Sequence, residues 1–83
     1  MSAWQVYLIR CGDGSLYCGI ALDAEARLAM HRAGKGAKYT RGRGPLELVH
    51  VEACPSKAAA LRREHEIKGM RRSQKAALAA GLR

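Results

Sequence analysis

The sequence predicts a small α+β domain, in which a three-stranded antiparallel sheet is flanked by helices in the order β-β-α-β-α-α. Two runs of strand-forming residues lie on either side of an Asp-Gly turn signal near the N-terminus, a pattern typical of a β-hairpin. An alternating third run and three helical segments with capping residues follow it. With 83 residues, the chain is long enough for a single domain, 1–83, with one modest core.

The hairpin is expected to join residues 4–11 to residues 16–20 through Gly12-Asp13-Gly14-Ser15. A two-residue loop would use Asp13-Gly14 alone and would pair Gly12 with Ser15. A three-residue loop would place Gly14 in the left-handed conformation and would pair Cys11 with Ser15. We expect the three-residue loop.

The length of this loop decides which faces of the sheet Tyr7 and Tyr17 occupy. The three-residue loop pairs Tyr7 with Gly19, and both phenols then lie on one face because side chains alternate with a period of two. The two-residue loop pairs Tyr7 with Ile20 and separates the phenols. Taken alone, the hairpin favours the simpler interpretation that both tyrosines only pack, as most strand tyrosines do.

The first helix is predicted over residues 24–32, with Asp23 as its N-cap and Gly34 as its C-terminal stop. Residues 34–45 read GKGAKYTRGRGP and combine glycines with four cations. This stretch has no apolar periodicity, so we expect a loop, and loops of this length are usually functional or mobile.

The third strand is predicted over residues 46–54, where apolar and polar residues alternate over most of the length. Leu46 and Leu48 are expected on one face, with His50 as a candidate for the same face. Both faces are expected to be covered along part of this strand.

Two further helices complete the predicted order. Pro55 ends the third strand, and Ser56 is expected to cap a long helix over residues 57–71. Ser73 is expected to cap a short last helix over residues 74–80, which ends at Gly81.

The composition favours a polyanionic partner. Fifteen Lys and Arg against seven Asp and Glu give a formal charge of +8, and the basic residues concentrate in residues 35–43 and 62–75. No apolar run is long enough to span a bilayer, so we expect a soluble, cytoplasmic protein that binds nucleic acid and no membrane. The three cysteines are odd in number and form no CxxC pair, which indicates buried thiols rather than a disulfide framework or a zinc site.

Arg27 and His31 are spaced four residues apart on the first helix and therefore project from one face, one turn apart. A cation beside a titratable imidazole is able to serve an anion. The same pair is also compatible with a solvated rim, which is the simpler interpretation without further evidence.

Glu64 is the residue of chemical interest on the long helix. At about 100° per residue it lies on the apolar side with Ala60, Leu61 and Ile67, whereas Glu66 points away. A carboxylate in that position is costly unless a cation compensates it. Two alternatives stay open: an ion pair with a nearby cation, and a ligand for a hard cation such as Mg²⁺.

These elements together resemble the GIY-YIG nuclease superfamily. The segments Val6-Tyr7-Leu8 and Tyr17-Cys18-Gly19 are similar to its "GIY" and "YIG" motifs, of which only the two tyrosines and the glycine of the second motif are kept. Arg27 and His31, the GKGAKYTRGRGP loop and ALRREHEIK with Glu64 follow in the family's order. The resemblance covers essentially the whole chain and is nearest to the short bacterial proteins that consist of little but this domain.

The resemblance implies a catalytic role for each of five residues. Tyr7 would be the general base that removes a proton from the attacking water, and His31 would accept or relay that proton. Arg27 would hold the scissile phosphate, and Tyr17 would position phosphate or water. Glu64 would bind one Mg²⁺ or Mn²⁺ ion, and the ion and Arg27 would together lower the pKa of Tyr7 toward a useful range.

The expected activity is metal-dependent hydrolysis of DNA phosphodiester bonds, directed by DNA structure or damage as in DNA repair. No second DNA-binding domain is expected, so little sequence specificity is predicted. The alternatives are a catalytically weak nucleic-acid-binding module and a domain that binds a protein partner. Substrate shape, the choice between DNA and RNA, and oligomeric state stay open. The expected nucleic-acid contacts are Gly19, Lys35, Lys38, Tyr39, Arg41 and Arg43.

Overall fold

The computed structural model of the chain describes residues 3–81. It contains three strands and three α-helices in the predicted order, with a short 3₁₀ turn, Lys38–Thr40, in the basic loop. The predicted α+β class is confirmed. The elements are β1 (Trp4–Arg10), β2 (Leu16–Ala21), α1 (Ala24–Arg32), β3 (Glu47–Cys54), α2 (Lys57–Lys68) and α3 (Arg72–Ala79).

The sheet is antiparallel, and β1 lies between β2 and β3. One face of β1 packs with α1 in a cluster that includes Tyr7, Ile9 and Leu28. The other face packs with α2 in a second cluster built on Val6 and Leu8. Because β1 is covered on both faces, four consecutive side chains are buried, which explains its nearly continuous apolar sequence.

The hairpin between β1 and β2 has the expected three-residue loop. The amide of Cys11 donates to Ser15 O at 2.9 Å, and Gly14 takes the left-handed conformation with φ of 84°. Tyr7 pairs with Gly19, so Tyr7 and Tyr17 share the face that α1 covers. The alternative two-residue register is excluded.

The predicted starts of the first two helices are confirmed by their caps. Asp23 Oδ1 accepts from the Ala26 amide at 3.1 Å, and Ser56 Oγ accepts from the Ala59 amide at 3.1 Å. Gly34 follows α1 with φ of 76°, as its predicted role as a helix stop requires.

The boundary between the last two helices was predicted wrongly. Helix α2 ends at Lys68, because Gly69 is a weak helix former and the chain turns there so that Met70 packs on the α2-side core. Helix α3 begins at Arg72, two residues before the predicted start, because the Gln74 side chain accepts from the Arg71 amide at 2.9 Å. Ser73 therefore lies inside the first turn and is not the cap.

Two predicted face assignments also need correction. The pairing of β1 with β3 shifts register between Leu8 and Ile9, so Leu48 packs on the α1 side while His50 lies opposite Leu8, whose side chain faces α2. Leu61 is 45 % exposed and does not belong to the buried side of α2, whereas Ala60 and Ile67 do.

Candidate active site

A group of aromatic rings lies between the hairpin and α1. Tyr7 Oη lies 3.0 Å from His31 Nε2, and both side chains are buried. The Tyr17 ring lies next to both, with centroid distances of 6.4 Å to Tyr7 and 5.3 Å to His31. Three of the five predicted catalytic residues therefore share one cluster. His31 is buried, so the alternative that it lies on a solvated rim is excluded.

Gly19 allows the close approach on which this cluster depends. A Cβ added there would lie 2.5 Å from Tyr7 Oη and 3.1 Å from Tyr17 Cε2. Its pairing with Tyr7 is regular, so the residue is not a bulge. Glycine is needed because the Tyr7 phenol packs directly over the backbone of β2.

The charge of Arg27 acts on Tyr7 and His31 of this cluster. Burial, and after it the charge of the neighbouring Tyr17, raise the pKa of Tyr7 to about 12, although the nearby Arg27 guanidinium opposes the shift. Burial and the charge of Arg27 lower the pKa of His31. Arg27 therefore acts on the pKa of Tyr7 in the expected direction, but desolvation outweighs its effect.

Glu64 lies on α2, which packs against β2 and covers the face of the sheet opposite to Tyr7 and Tyr17. Its side chain is 19 % exposed, against 64 % for Glu66, so the predicted orientation is confirmed. The carboxylate contributes to the raised pKa of Tyr17 and of Cys18, in both cases after burial, which places it within electrostatic reach of β2. Glu64 Oε2 also lies 3.4 Å from Lys68 Nζ, one of the ion pairs considered above.

The basic loop presents most of its predicted nucleic-acid contacts to solvent. Lys35, Lys38 and Arg41 are exposed. Arg43 instead forms an ion pair with Asp13 and lies 4.4 Å above the centre of the Tyr39 ring.

Tyr39 connects the loop to the cluster of Tyr7, Tyr17 and His31. Its ring is 42 % exposed and lies 5.7 Å from the ring of Tyr17, between centroids. It therefore anchors the loop against the hairpin.

Comparison with known proteins decides the family. Residues 3–77 match the family model of the GIY-YIG catalytic domain. The chain belongs to the GIY-YIG family. This superfamily comprises nucleases, so nucleic acid is the general class of partner.

Close relatives of this GIY-YIG protein cover nearly the whole chain. A UPF0213 protein of Vibrio cholerae is 51 % identical over 82 residues, which are 98 % of this chain and 81 % of the relative. A UPF0213 protein of Natronomonas pharaonis is 55 % identical over 75 residues, 90 % of this chain and 88 % of the relative. The solution NMR structure of a UPF0213 protein from Bacillus halodurans has a TM-score of 0.59 and 48 % identity, and the match covers 96 % of this chain and 84 % of that one.

The residues present are compatible with one hard cation at Glu64. Within residues 3–81, no group of three His, Cys, Asp or Glu side chains is arranged to hold a metal by itself. Mg²⁺ commonly takes one or two carboxylates and completes its shell with water and substrate phosphate, so a single half-buried carboxylate suits it. None of the helices in this part of the chain is long and apolar enough to cross a membrane.

Sequence reasoning missed the groups that surround His31 on its loop side. The amide of Ala37 donates to His31 Nδ1 at 3.1 Å, and Thr40 Oγ1 lies 3.0 Å from the same nitrogen. Thr40 is 2 % exposed, although it lies in a basic, glycine-rich loop. The only sequence signal was a single threonine in a glycine-rich, basic loop, which does not by itself indicate a buried contact.

Proposed function

We propose that this GIY-YIG protein is a metal-dependent endonuclease that hydrolyses phosphodiester bonds of DNA with little sequence specificity. The convergence of Tyr7, Tyr17 and His31 beside Arg27, in a family of nucleases, is the observation that carries this proposal. The net charge of +8 supports a polyanionic substrate.

Arg27 is the residue that holds the scissile phosphate. Its side chain is exposed, and none of the ion pairs within residues 3–81 involves it. A guanidinium without a carboxylate partner is available for two hydrogen bonds to phosphate oxygens. It thereby neutralises negative charge on the phosphoryl oxygens as the water oxygen attacks phosphorus and the opposite P–O bond breaks.

Tyr7 and Tyr17 orient the attacking water, and Tyr7 takes its proton when ionised. With a pKa of about 12, only about one Tyr7 in 10⁵ is ionised at neutral pH. Positive charge beside the phenol is therefore a requirement of general-base action, and Arg27 is the residue of this chain that supplies it. A divalent ion held by Glu64 would supply further positive charge and stabilise the leaving oxygen.

A second candidate is a nucleic-acid-binding module with negligible catalysis. It is favoured by the high pKa of Tyr7 and by the contact of Lys68 with the carboxylate that would hold the ion. Both candidates keep the basic loop and the steep dependence of binding on salt that follows from phosphate contacts.

Cleavage of labelled single-stranded, duplex, flap and junction DNAs with Mg²⁺, Mn²⁺ or EDTA distinguishes the candidates. The endonuclease predicts metal-dependent cutting by the wild type and none by Tyr7→Phe or Glu64→Ala, with circular dichroism showing that both variants fold. The module predicts binding without cutting, and affinity that Glu64→Ala leaves unchanged or improves. Equal cutting by all three proteins would exclude the proposed site.

A further inference from the structure

The imidazole of His31 is held by hydrogen bonds on both of its nitrogens. Nε2 faces Tyr7 Oη at 3.0 Å, and the Ala37 amide donates to Nδ1 at 3.1 Å. Thr40 Oγ1 is also 3.0 Å from Nδ1. Because the ring is 3 % exposed, water does not compete freely for either nitrogen, and these partners determine which one carries the proton.

The Ala37 amide decides the position of that proton. A backbone N–H is only a donor, so Nδ1 has to offer its lone pair, and a neutral ring then carries its proton on Nε2. The Thr40 hydroxyl does not decide, because a hydroxyl is able both to donate and to accept. Burial and the charge of Arg27 lower the pKa of His31, which is consistent with a ring that is neutral at pH 7.

We propose that residues 36–40 hold His31 in the tautomer protonated on Nε2, so that His31 donates a hydrogen bond to Tyr7 Oη. Gly36 and Thr40 are the positioning residues of this arrangement. A donor at Tyr7 Oη stabilises the phenolate form. The neutral ring has no free nitrogen for the Tyr7 proton, so His31 assists ionisation of Tyr7 by hydrogen bonding rather than by accepting its proton.

The packing around the ring explains why the loop is able to impose one tautomer. A Cβ on Gly36 would overlap His31 Nδ1, so the backbone at this residue lies directly against the imidazole. Thr40 Oγ1 lies 2.9 Å from Ala37 O as well as 3.0 Å from Nδ1, and donation of its one hydrogen to Nδ1 favours the same lone pair on that nitrogen. The Thr40 amide donates to Ala37 O at 3.1 Å and fixes the turn that aims the Ala37 amide at Nδ1.

The arrangement connects the surface proposed to contact nucleic acid with the reactive phenol. Lys35, Lys38 and Arg41 belong to the same short loop as the groups that hold His31. Only this catalytic consequence rests on the proposed function, because the tautomer is a property of the free protein.

Long-range ¹H–¹⁵N correlation spectra of the ¹⁵N-labelled protein, without DNA or metal, measure the tautomer directly. We expect His31 at pH 7 as the neutral ring protonated on Nε2, with exposed His65 on α2 as the internal reference in the same spectrum. A ring protonated on Nδ1, or a charged ring, would overturn the proposal. The predicted tautomer in a protein that cuts no DNA would support it and would contradict only the proposed function.

Three variants test the positioning residues. Thr40→Val keeps the side-chain shape but removes the hydroxyl, and we expect a mixture of His31 tautomers and about a tenfold loss of cleavage rate. Thr40→Ser should recover the wild-type tautomer and most of the rate. Gly36→Ala should displace the Ala37 amide and also mix the tautomers, with circular dichroism as the folding control. A wild-type tautomer in Thr40→Val and Gly36→Ala would show that these residues do not position His31.

Discussion

Gly19 is the position where one added methyl group tests the placement of Tyr7 most sharply. Its Cβ would lie 2.5 Å from Tyr7 Oη and 2.7 Å from Tyr7 Cζ, both far inside van der Waals contact. Tyr7 is 1 % exposed and bonded to His31, so its ring has no space into which to move. Overpacking of a well-filled core costs about 1–3 kcal/mol, and we expect Gly19→Ala to reduce the free energy of unfolding by about 2 kcal/mol.

Thermal unfolding followed by circular dichroism measures this loss, and Gly69→Ala is the matched control. About 2 kcal/mol corresponds to a decrease in Tm of about 8–16 °C in a domain of this size. At Gly69 an added Cβ has no neighbour closer than 3.6 Å, and φ is −83°. Alanine there should be neutral or stabilising by up to about 1 kcal/mol.

Combining Gly19→Ala with Tyr7→Phe identifies the clashing group. Tyr7→Phe removes Oη, the atom nearest to the new methyl group. The double variant should therefore lose less stability than the two single variants lose together, by about 0.5 kcal/mol or more. Additive losses, or a Gly19→Ala variant as stable as Gly69→Ala, would refute the packing of the phenol against β2.

Three further predictions concern charge. Because burial raises the pKa of Tyr7 to about 12 from about 10 in the unfolded chain, the native state keeps a proton that the unfolded state loses between those values. Stability should therefore fall as pH rises through this window, and urea unfolding of Tyr7→Phe should lack this component. Glu52→Ala breaks hydrogen bonds of 2.9 and 3.0 Å to Arg63 and should reduce the free energy of unfolding in urea by about 1–3 kcal/mol. Glu47→Ala removes an exposed ion pair with Arg10 and should reduce it by less than about 1 kcal/mol. Equal losses in the two variants would contradict this ranking. Arg41→Ala should reduce the slope of log affinity against log salt for labelled duplex DNA by about 0.9 in fluorescence anisotropy, and an unchanged slope would remove Arg41 from the interface.

The parts of the fold that depend on neighbouring residues were predicted from the sequence. The three-residue hairpin loop was predicted with Gly14 in the left-handed conformation, which glycine readily takes. Asp23 and Ser56 indicated two helix starts, because their side chains accept from amides three residues ahead. These interactions span few residues, so local chemistry determines them.

Two of the errors lie where distant residues determine the structure. The shift in pairing between β1 and β3 turns His50 away from the face of Leu48, and no residue within β3 signals it. Helix α2 ends at Lys68 because the following turn packs Met70 on the core, which depends on the whole fold.

In the candidate site, too, some features follow from the sequence motifs and others depend on distant residues. Its members were predicted through the family motifs, but the burial that raises the pKa of Tyr7 depends on the sheet, α1 and the loop together. The contact between Thr40 and His31 joins residues nine positions apart through a turn without periodicity, so it was not predicted.

The most direct test of the central claim compares two glutamates on α2 in one cleavage assay. Glu64→Gln removes the mostly buried carboxylate whose charge raises the pKa of Tyr17, whereas Glu66→Gln removes an exposed one that pairs with Arg63. With labelled DNA and Mg²⁺ or Mn²⁺, we expect cutting by the wild type and Glu66→Gln, loss of cutting in Glu64→Gln, and no cutting in EDTA. Cutting by Glu64→Gln at the wild-type rate, or no cutting by any protein under any of these conditions, would contradict a metal-dependent nuclease at this site.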